Sequence, residues 1–175
     1  MQKSLLYIAA FVVLVLLQIF LIDNIALSVY FHPLVYVAFV IMLPLDMKPV
    51  WVLLCSTLMG LTIDTLTGMA GINVMATAAV GFLRPALLHA AVGRSTDAAD
   101  TIPALHRLST KHLAWFIVLV VVLHSVIYFF MESLSLSNAL HTLVRLVVSD
   151  IVAIALIWYI IKLFTEKITQ VGNVP

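Results

Sequence analysis

Charged residues are scarce in this chain. Only 10% of its 175 residues are Asp, Glu, Lys or Arg, whereas 64% are hydrophobic, and the formal net charge is +1. An ordinary soluble domain is about 45–50% apolar, so this composition excludes that class and indicates an integral membrane protein. The near balance of charge also gives no sign of a nucleic-acid partner or of an acidic substrate.

Cysteine and the common catalytic motifs are lacking as well. The single cysteine, Cys55, cannot form a disulfide within the chain. The sequence contains no H-E-x-x-H, G-x-S-x-G, G-x-x-x-x-G-K-[ST] or C-x-x-C motif, and no two of its six histidines are spaced i, i+4. We therefore expect a protein that is not an enzyme and that has no cofactor and no metal site.

Long apolar runs take up most of the chain. The first, 5–22, is longer than the apolar region of about 7–15 residues in a cleaved signal, and it is long enough for a membrane helix. The predicted fold class is all-α, a polytopic membrane protein with six transmembrane helices in one integral membrane domain, 1–175. The second run is short for a crossing, so it needs a lead-in or a locally thinner bilayer. The predicted helices are about 5–22, 32–45, 50–67, 71–92, 113–131 and 143–164, with a cytoplasmic linker at 93–112.

The positions of the basic residues predict the orientation in the membrane. Short cytoplasmic loops collect Lys and Arg, and tryptophan prefers the membrane interface. Seven basic residues fall on one side of a six-helix arrangement, and the three tryptophans mark the same side. Both termini are therefore predicted to be cytoplasmic, while Asp23 and Glu132 fall on the opposite side. The residues on the cytoplasmic side are Lys3, Lys48, Arg94, Arg107, Lys111, Lys162 and Lys167, with Trp51, Trp115 and Trp158 at the interface.

The third apolar run contains a carboxylate, Asp64. Ser56, Gly60 and Asp64 are spaced i, i+4, i+8, so on a helix they lie along one face. Small residues at that spacing allow another helix to come close, which predicts that Asp64 faces protein. A charge in the membrane that lacks a partner is costly, so we expect Asp64 to be bound by other polar groups.

Three further ionisable residues, His124, Arg145 and Asp150, are expected near the depth of Asp64. We predict that the four form a polar cluster in the outer half of the membrane, which links the third, fifth and sixth helices, with Arg145 as a partner of Asp64. Arg145 lies five residues before Asp150 and so points to a different face of its helix. We favour bonding between helices over proton transfer, because no substrate-like pattern surrounds these residues. Arg84 is interpreted as a side chain that extends to the membrane surface at a kink, or as the cytoplasmic exit of the fourth helix.

An ordered set of short motifs in the middle of the chain resembles the MreD family of bacterial rod shape-determining proteins. The motifs are Gly60-Leu-Thr-Ile-Asp64, then Gly68-Met-Ala-Gly71-Ile-Asn73-Val-Met-Ala76, then Gly81-Phe82. The family has a Gly-Leu-x-x-Asp block, a Leu-Gly-x-x-Ala block and a Gly-Tyr-like pair. Gln18 and Pro33 also look like the family. Two positions depart from it: Ser56, where many members have Gly, and Ala70, where members have Leu.

The resemblance implies a non-enzymatic scaffold in the bacterial inner membrane. Such a protein belongs to the cell-elongation machinery and supports peptidoglycan synthesis. Its implied partners are an MreC-type single-span protein, the complex of RodA with a penicillin-binding transpeptidase, actin-like MreB on the cytoplasmic side, and the lipid bilayer. Contacts between helices would then carry the assembly.

Five residues of the third helix and the turn after it are predicted to matter most for helix packing or for contact with a partner helix. Gly68 and Gly71 are expected to form the turn before the fourth helix, where positive φ angles are needed. For all five residues, a role in the folding of this chain has at least the same weight as contact with a partner helix. The five residues are Ser56, Gly60, Asp64, Gly68 and Gly71.

Two other classes of protein remain as alternatives. A six-helix substrate-binding subunit of a vitamin transporter, of the S-component type, fits the same size and topology, and Asp64, His124 and Asp150 would then line a polar cavity. An intramembrane enzyme that uses Asp64 and Asp150 is the third class. A vitamin that copurifies with the protein would favour the transporter subunit, whereas lost turnover in folded Ala variants would favour the enzyme. We rank the scaffold first, the transporter subunit second and the enzyme third.

Overall fold

The computed structural model describes residues 2–24, 32–93, 108–133 and 139–172. All of the regular secondary structure in these ranges is helical. The elements are α1, Gln2–Leu16, continued by a π-helical turn, Leu17–Ile22; a 3-10 turn, Val35–Val37, followed by α2, Ala38–Met42; α3, Pro49–Thr67; α4, Ile72–Val92; α5, Thr110–Ser133; and α6, Ala139–Gly172.

Five of the described helices are long and apolar enough to cross a membrane. They span Ser4–Ile22, Pro49–Thr67, Ile72–Val92, Thr110–Ser133 and Leu140–Lys167. The chain is therefore an all-α polytopic membrane protein, as predicted, but the prediction of six long transmembrane helices is wrong in number. The predicted second helix, 32–45, contains only the 3-10 turn and the five-residue α2, which is far shorter than the about 20 residues a crossing helix needs. Leu43 has an extended ψ of 145°, because the residue before a proline, here Pro44, disfavours helical backbone.

The central segment, 34–43, takes the place of the missing helix and lies inside the bundle. All ten of its side chains are buried. Around it α3 packs against α4, α4 against α5 and α5 against α6, while α1 packs between α6 and α3. These five long helices form a closed ring, and the central segment contacts every one of them. Protein therefore shields the segment from lipid, whereas the outer faces of the ring carry exposed apolar side chains.

Both ends of the described chain lie at one end of the bundle. Tyr7 of α1 and Phe164 of α6 meet edge to face, with ring centroids 5.5 Å apart. The central segment runs from the level of Gln18, in the turn that continues α1, to the level of Arg84, in the second half of α4.

Basic residues gather at this shared end. Lys48, Lys111 and Lys162 are exposed there, and Trp51 and Trp115, which are 59% and 53% exposed, lie close to them in the sequence. Because short cytoplasmic loops collect Lys and Arg and tryptophan prefers the interface, this end is the one that the sequence predicts to be cytoplasmic, and it is called the cytoplasmic end below. The opposite end, which carries the turn between α3 and α4, is called the outer end below.

The predicted linker, 93–112, falls mostly outside the described residues, which omit 94–107. Its described ends show that α4 ends at Val92 and that α5 begins at Thr110. α6 extends past its predicted bounds, 143–164, in both directions and has 34 residues. At 1.5 Å per residue this helix is about 51 Å long, so it projects beyond an apolar membrane core of about 30 Å.

Candidate functional site

The carboxylate of Asp64 binds the N-terminus of the next helix. α4 starts after Gly71, which has no side chain to accept hydrogen bonds from the free N–H groups of the first turn. Asp64 Oδ1 accepts from the backbone N–H of Asn73 at 3.2 Å and from its Nδ2 at 2.8 Å, and Oδ2 accepts from the backbone N–H of Val74 at 2.8 Å. A negative charge at a helix N-terminus is also favoured by the helix dipole. Asp64 is only 4% exposed, so it faces protein as the small-residue spacing predicts.

Close packing of α3 against α4 places Asp64 within reach of that turn. A Cβ atom added at Gly60 would lie 2.6 Å from the carbonyl oxygen of Asn73 and 2.7 Å from Val74 Cα. One added at Gly81 of α4 would lie 2.6 Å from Ser56 Oγ. Ser56, Gly60 and Asp64 therefore all face α4, and the stripe they form holds two helices of the same chain together.

Gly68 and Gly71 form the turn between α3 and α4. Their φ angles are 72° and 87°, which confirms the expected positive values. A Cβ added at either position would meet no atom within 4 Å. Glycine is needed here for its backbone conformation and not for close contact.

A chain of hydrogen bonds runs from Asp64 to His124. Asn73 Oδ1 accepts from the hydroxyl of Tyr36 at 2.5 Å, and Tyr36 Oη lies 3.1 Å from His124 Nε2. Tyr36 and His124 are both 0% exposed. The chain joins α3, α4, the central segment and α5, so Asp64 and His124 are linked, but only through two side chains that the sequence analysis did not place together.

Arg145 pairs with Glu132, so the predicted pairing of Arg145 with Asp64 is wrong. The two charged groups are 2.9 Å apart, and their side chains are 24% and 27% exposed. The Arg145 guanidinium also lies over the ring of Phe129, 5.1 Å from its centroid. Glu132 lies at the outer end of α5, the helix against which α6 packs, whereas the carboxylate of Asp64 is already bound by α4.

Asp150 is bound by a residue of the neighbouring helix. Its Oδ1 accepts from the hydroxyl of Ser125 at 2.5 Å, which ties α6 to α5. The predicted cluster of four is therefore divided among three groups in the described part of the chain. These are Asp64 with His124, joined through Asn73 and Tyr36; Asp150 with Ser125; and Arg145 with Glu132.

Gln18 binds the outer end of the central segment. Its Oε1 accepts from the backbone N–H groups of Val35 at 2.9 Å and Tyr36 at 3.4 Å, and its Nε2 donates to the Pro33 carbonyl at 3.3 Å and to Asp23 Oδ1 at 2.7 Å. Sequence reasoning singled out Gln18 only through the family resemblance. The sequence feature that points to Gln18 is that it is a single amide in a long apolar run. A polar group in lipid needs a hydrogen-bond partner.

Arg84 binds the cytoplasmic end of the central segment. It donates from Nη1 to the Pro44 carbonyl at 3.1 Å and from Nη2 to the carbonyls of Ile41, at 3.3 Å, and Leu43. The interpretation of Arg84 as a side chain at the membrane surface is wrong, since it is 4% exposed. A short helix leaves its last carbonyls without partners, and a cation at that end is favoured by the helix dipole.

Titratable residues also meet at the outer end. Tyr128 Oη lies 3.5 Å from His32 Nε2, and the two rings stack with centroids 5.9 Å apart. Burial raises the pKa of Asp23, against the opposing effect of the hydrogen bond from Gln18, and burial lowers the pKa of His32. Both shifts favour the neutral form of the side chain.

These features define the class of the protein. It is an all-α, multi-pass membrane protein in which buried polar side chains bind helix ends and join neighbouring helices. Among the residues that the structure describes, no group of three or more His, Cys, Asp or Glu is placed to hold a metal ion. Comparisons of the chain with protein-family models, with curated proteins and with solved structures found no match.

Proposed function

We propose that this protein is a non-enzymatic scaffold of the bacterial rod-shape machinery. In this proposal it lies in the inner membrane and supports peptidoglycan synthesis through helix contacts with an MreC-type protein and with the RodA and transpeptidase complex, with MreB beneath the membrane. The observation that carries the proposal is that four of the family-like residues share one role. Gly60 and Asp64 on α3 and Asn73 and Gly81 on α4 hold these two helices together.

The bonding of Asp64 supports a scaffold over an enzyme. A catalytic carboxylate needs an oxygen that is free to meet its substrate, whereas both oxygens of Asp64 accept hydrogen bonds from the first turn of α4. The side chain that most suggested chemistry in the sequence therefore has a structural task.

The outer faces of the ring are the surfaces that this function would use. On α3, Leu54, Leu58 and Leu61 are 52%, 55% and 49% exposed, and their spacing of four and then three residues is that of a helix-packing stripe. Partner helices in a membrane associate through packing of such faces. We place the partner contacts of the proposed scaffold on these outward faces and not on the Ser56, Gly60, Asp64 stripe, which faces α4.

Depletion of the protein in its rod-shaped host tests the proposal. We expect depleted cells to become round, and we expect the tagged protein, extracted in mild detergent, to copurify an MreC-type protein. The triple variant Leu54→Ala, Leu58→Ala, Leu61→Ala should fold but lose part of this copurification. Its control is Leu143→Ala, Val147→Ala, Ile151→Ala, which changes exposed apolar residues of α6. Depleted cells that keep their rod shape, or a purified protein that carries a vitamin and requires an ATPase module, would overturn the proposal.

A further inference from the structure

His32 contacts α5 and α6 one helical turn below the ion pair that joins their outer ends. Its Nε2 lies 3.5 Å from the hydroxyl oxygen of Tyr128 on α5, and its backbone N–H donates to Ser149 Oγ on α6 at 3.0 Å. Glu132 follows Tyr128 by four residues, and Arg145 precedes Ser149 by four. Residues four apart are neighbours on a helix face, so the two residues that contact His32 lie directly beneath the two that form the ion pair.

Asp23 brings a carboxylate to the same place from the end of α1. The Gln18 amide donates to Asp23 Oδ1 at 2.7 Å and to the Pro33 carbonyl at 3.3 Å. Pro33 is the residue after His32, and both Asp23 and His32 are half-buried. The imidazole therefore has ionisable neighbours from α1, α5 and α6.

The charged neighbours of His32 already have partners. Arg145 Nη1 lies 2.9 Å from Glu132 Oε2, and Asp23 accepts from Gln18. Burial lowers the pKa of His32, and the charge of Asp23 acts in the opposite direction. The charge of Arg145 lowers this pKa further, whereas that of Glu132 raises it. A proton on His32 thus adds a second cation beside an ion pair that has one carboxylate.

We propose that His32 is a proton-sensitive contact at the outer end of the bundle. When its imidazole takes up a proton, it competes with Arg145 for Glu132, and the start of α6 is released from α5. When the imidazole is neutral, Arg145 keeps Glu132 and the two helices stay joined. The proposal does not depend on the scaffold function, since it rests on contacts within this chain.

The direction of the pH dependence follows from the burial of His32. Because the folded protein favours the neutral imidazole, the contact between α5 and α6 is complete above the ordinary imidazole pKa of 6.5. It is lost as the pH falls through the pKa of His32 in the folded protein. Asp23 has the opposite dependence, because burial raises its pKa and proton uptake then favours the folded state. A measurement at the start of α6, and not of overall stability, therefore isolates the effect of His32.

Hydrogen exchange of the full-length protein in lipid nanodiscs tests the proposal. A peptide from the start of α6, 140–148, is compared at about pH 7.5 and about pH 5.5, with each rate divided by that of an unstructured peptide at the same pH. Its protection should fall by about twofold to fivefold at the lower pH, which is the range for a partly exposed ion pair. A peptide from α3, 52–60, should keep its protection. Equal protection of 140–148 at the two pH values would overturn the proposal.

Two substitutions identify the groups that respond to pH. His32→Gln keeps a polar side chain that does not titrate, so protection of 140–148 should not change with pH. Glu132→Gln removes the carboxylate for which the two cations compete, so protection should be low at both pH values. The control is His112→Gln, near the cytoplasmic end of α5, which should keep the wild-type response. A response to pH that persists in His32→Gln or in Glu132→Gln would show that the proposal is wrong.

A nitrogen-15 NMR titration of the histidine-labelled wild type gives an answer even where a variant does not fold. The midpoint of the His32 ring signals should match the midpoint of the change in hydrogen exchange at 140–148. Midpoints that differ would assign the change to another group and overturn the proposal.

Discussion

Gln18 and Arg84 bind opposite ends of the central segment. Gln18 accepts from the Val35 N–H at 2.9 Å, and Arg84 donates to the Pro44 carbonyl at 3.1 Å. Because a very short helix leaves most of its N–H and C=O groups without partners inside the helix, and lipid offers none, such a segment is stable in a membrane only when surrounding protein supplies them. The two side chains thus account for a five-residue helix inside a ring of long ones.

Replacement of Arg84 should strongly destabilise the protein. Arg84→Ala leaves the carbonyls of Ile41, Leu43 and Pro44 without their donor, and each unsatisfied buried group costs about 1–3 kcal/mol. We expect a loss of at least about 2 kcal/mol, measured by thermal unfolding of the purified protein in detergent. The stability of Arg84→Lys should lie between that of the wild type and that of Arg84→Ala, because an ammonium group is a point donor without the planar fork of arginine. Leu83→Ala, at an exposed neighbouring position, is the control, and equal melting temperatures for Arg84→Ala and Leu83→Ala would contradict the prediction.

Replacement of Asp64 should weaken the start of α4. Asp64→Ala removes the acceptor of the first-turn N–H groups, and loss of such a cap costs about 0.5–2 kcal/mol. Asp64→Asn should lose less stability than Asp64→Ala, because it keeps one acceptor oxygen. It should still be less stable than the wild type, because its amide NH2 group then faces an N–H donor. Hydrogen exchange of a peptide that covers Asn73 and Val74 should be faster in both variants. Exchange that is no faster in Asp64→Ala than in the control Thr65→Ala, at an exposed position, would show that the cap is not formed.

A charge exchange at Arg145 distinguishes its observed partner from the predicted one. Glu132→Arg combined with Arg145→Glu should recover most of the stability that either single change loses, with a coupling free energy of about 0.2–1 kcal/mol for a partly exposed pair. Asp64→Arg combined with Arg145→Asp should recover none, because Asp64 binds α4. A double-mutant cycle measured by thermal unfolding provides both values. If the coupling free energy of Arg145 with Asp64 is larger than that with Glu132, Glu132 is not the main partner of Arg145 and the prediction is contradicted.

Two glycines should respond differently to a methyl group. Gly60→Ala places a Cβ against backbone atoms of Asn73 and Val74, and such overpacking costs about 1–3 kcal/mol because α4 must move. Gly68→Ala meets no atom within 4 Å and only bears the cost of a φ of 72°, about 1–2 kcal/mol for an L-residue. Hydrogen exchange distinguishes the two variants. Gly60→Ala should speed exchange at the N-terminus of α4, and Gly68→Ala should not. Identical exchange in the two variants would argue against close packing of α3 on α4.

The sequence predicts the membrane class, because the lengths of its apolar runs follow directly from the thickness of the bilayer. The cytoplasmic location of the termini stays a prediction from the positions of Lys and Trp. The sequence also predicts that Asp64 faces protein and that Gly68 and Gly71 have positive φ, since both follow from local spacing. The predicted number of long helices is wrong, because hydropathy shows that 34–43 is apolar but does not show that other helices enclose it.

The polar partners were the least predictable part of the site. Charge and depth alone predict Arg145 as the partner of Asp64, although a helix N-terminus satisfies a carboxylate as well as a cation does. The roles of Gln18 and Arg84 depend on backbone groups of a segment distant in sequence, and such groups carry no signal in the side-chain pattern. Single polar residues in apolar runs therefore indicate that a partner exists without indicating which one.

The enclosure of the central segment is most directly tested by quenching of tryptophan fluorescence with brominated lipids. In a background where Trp51, Trp115 and Trp158 are Phe, a single tryptophan is introduced by Phe39→Trp or by Phe20→Trp, at positions that are 5% and 70% exposed. We predict strong quenching for Phe20→Trp and little for Phe39→Trp in variants that elute as monodisperse protein, because the ring of five helices keeps lipid away from Phe39. Equal quenching of the two would mean that the segment faces lipid as an ordinary sixth helix, and it would contradict this account.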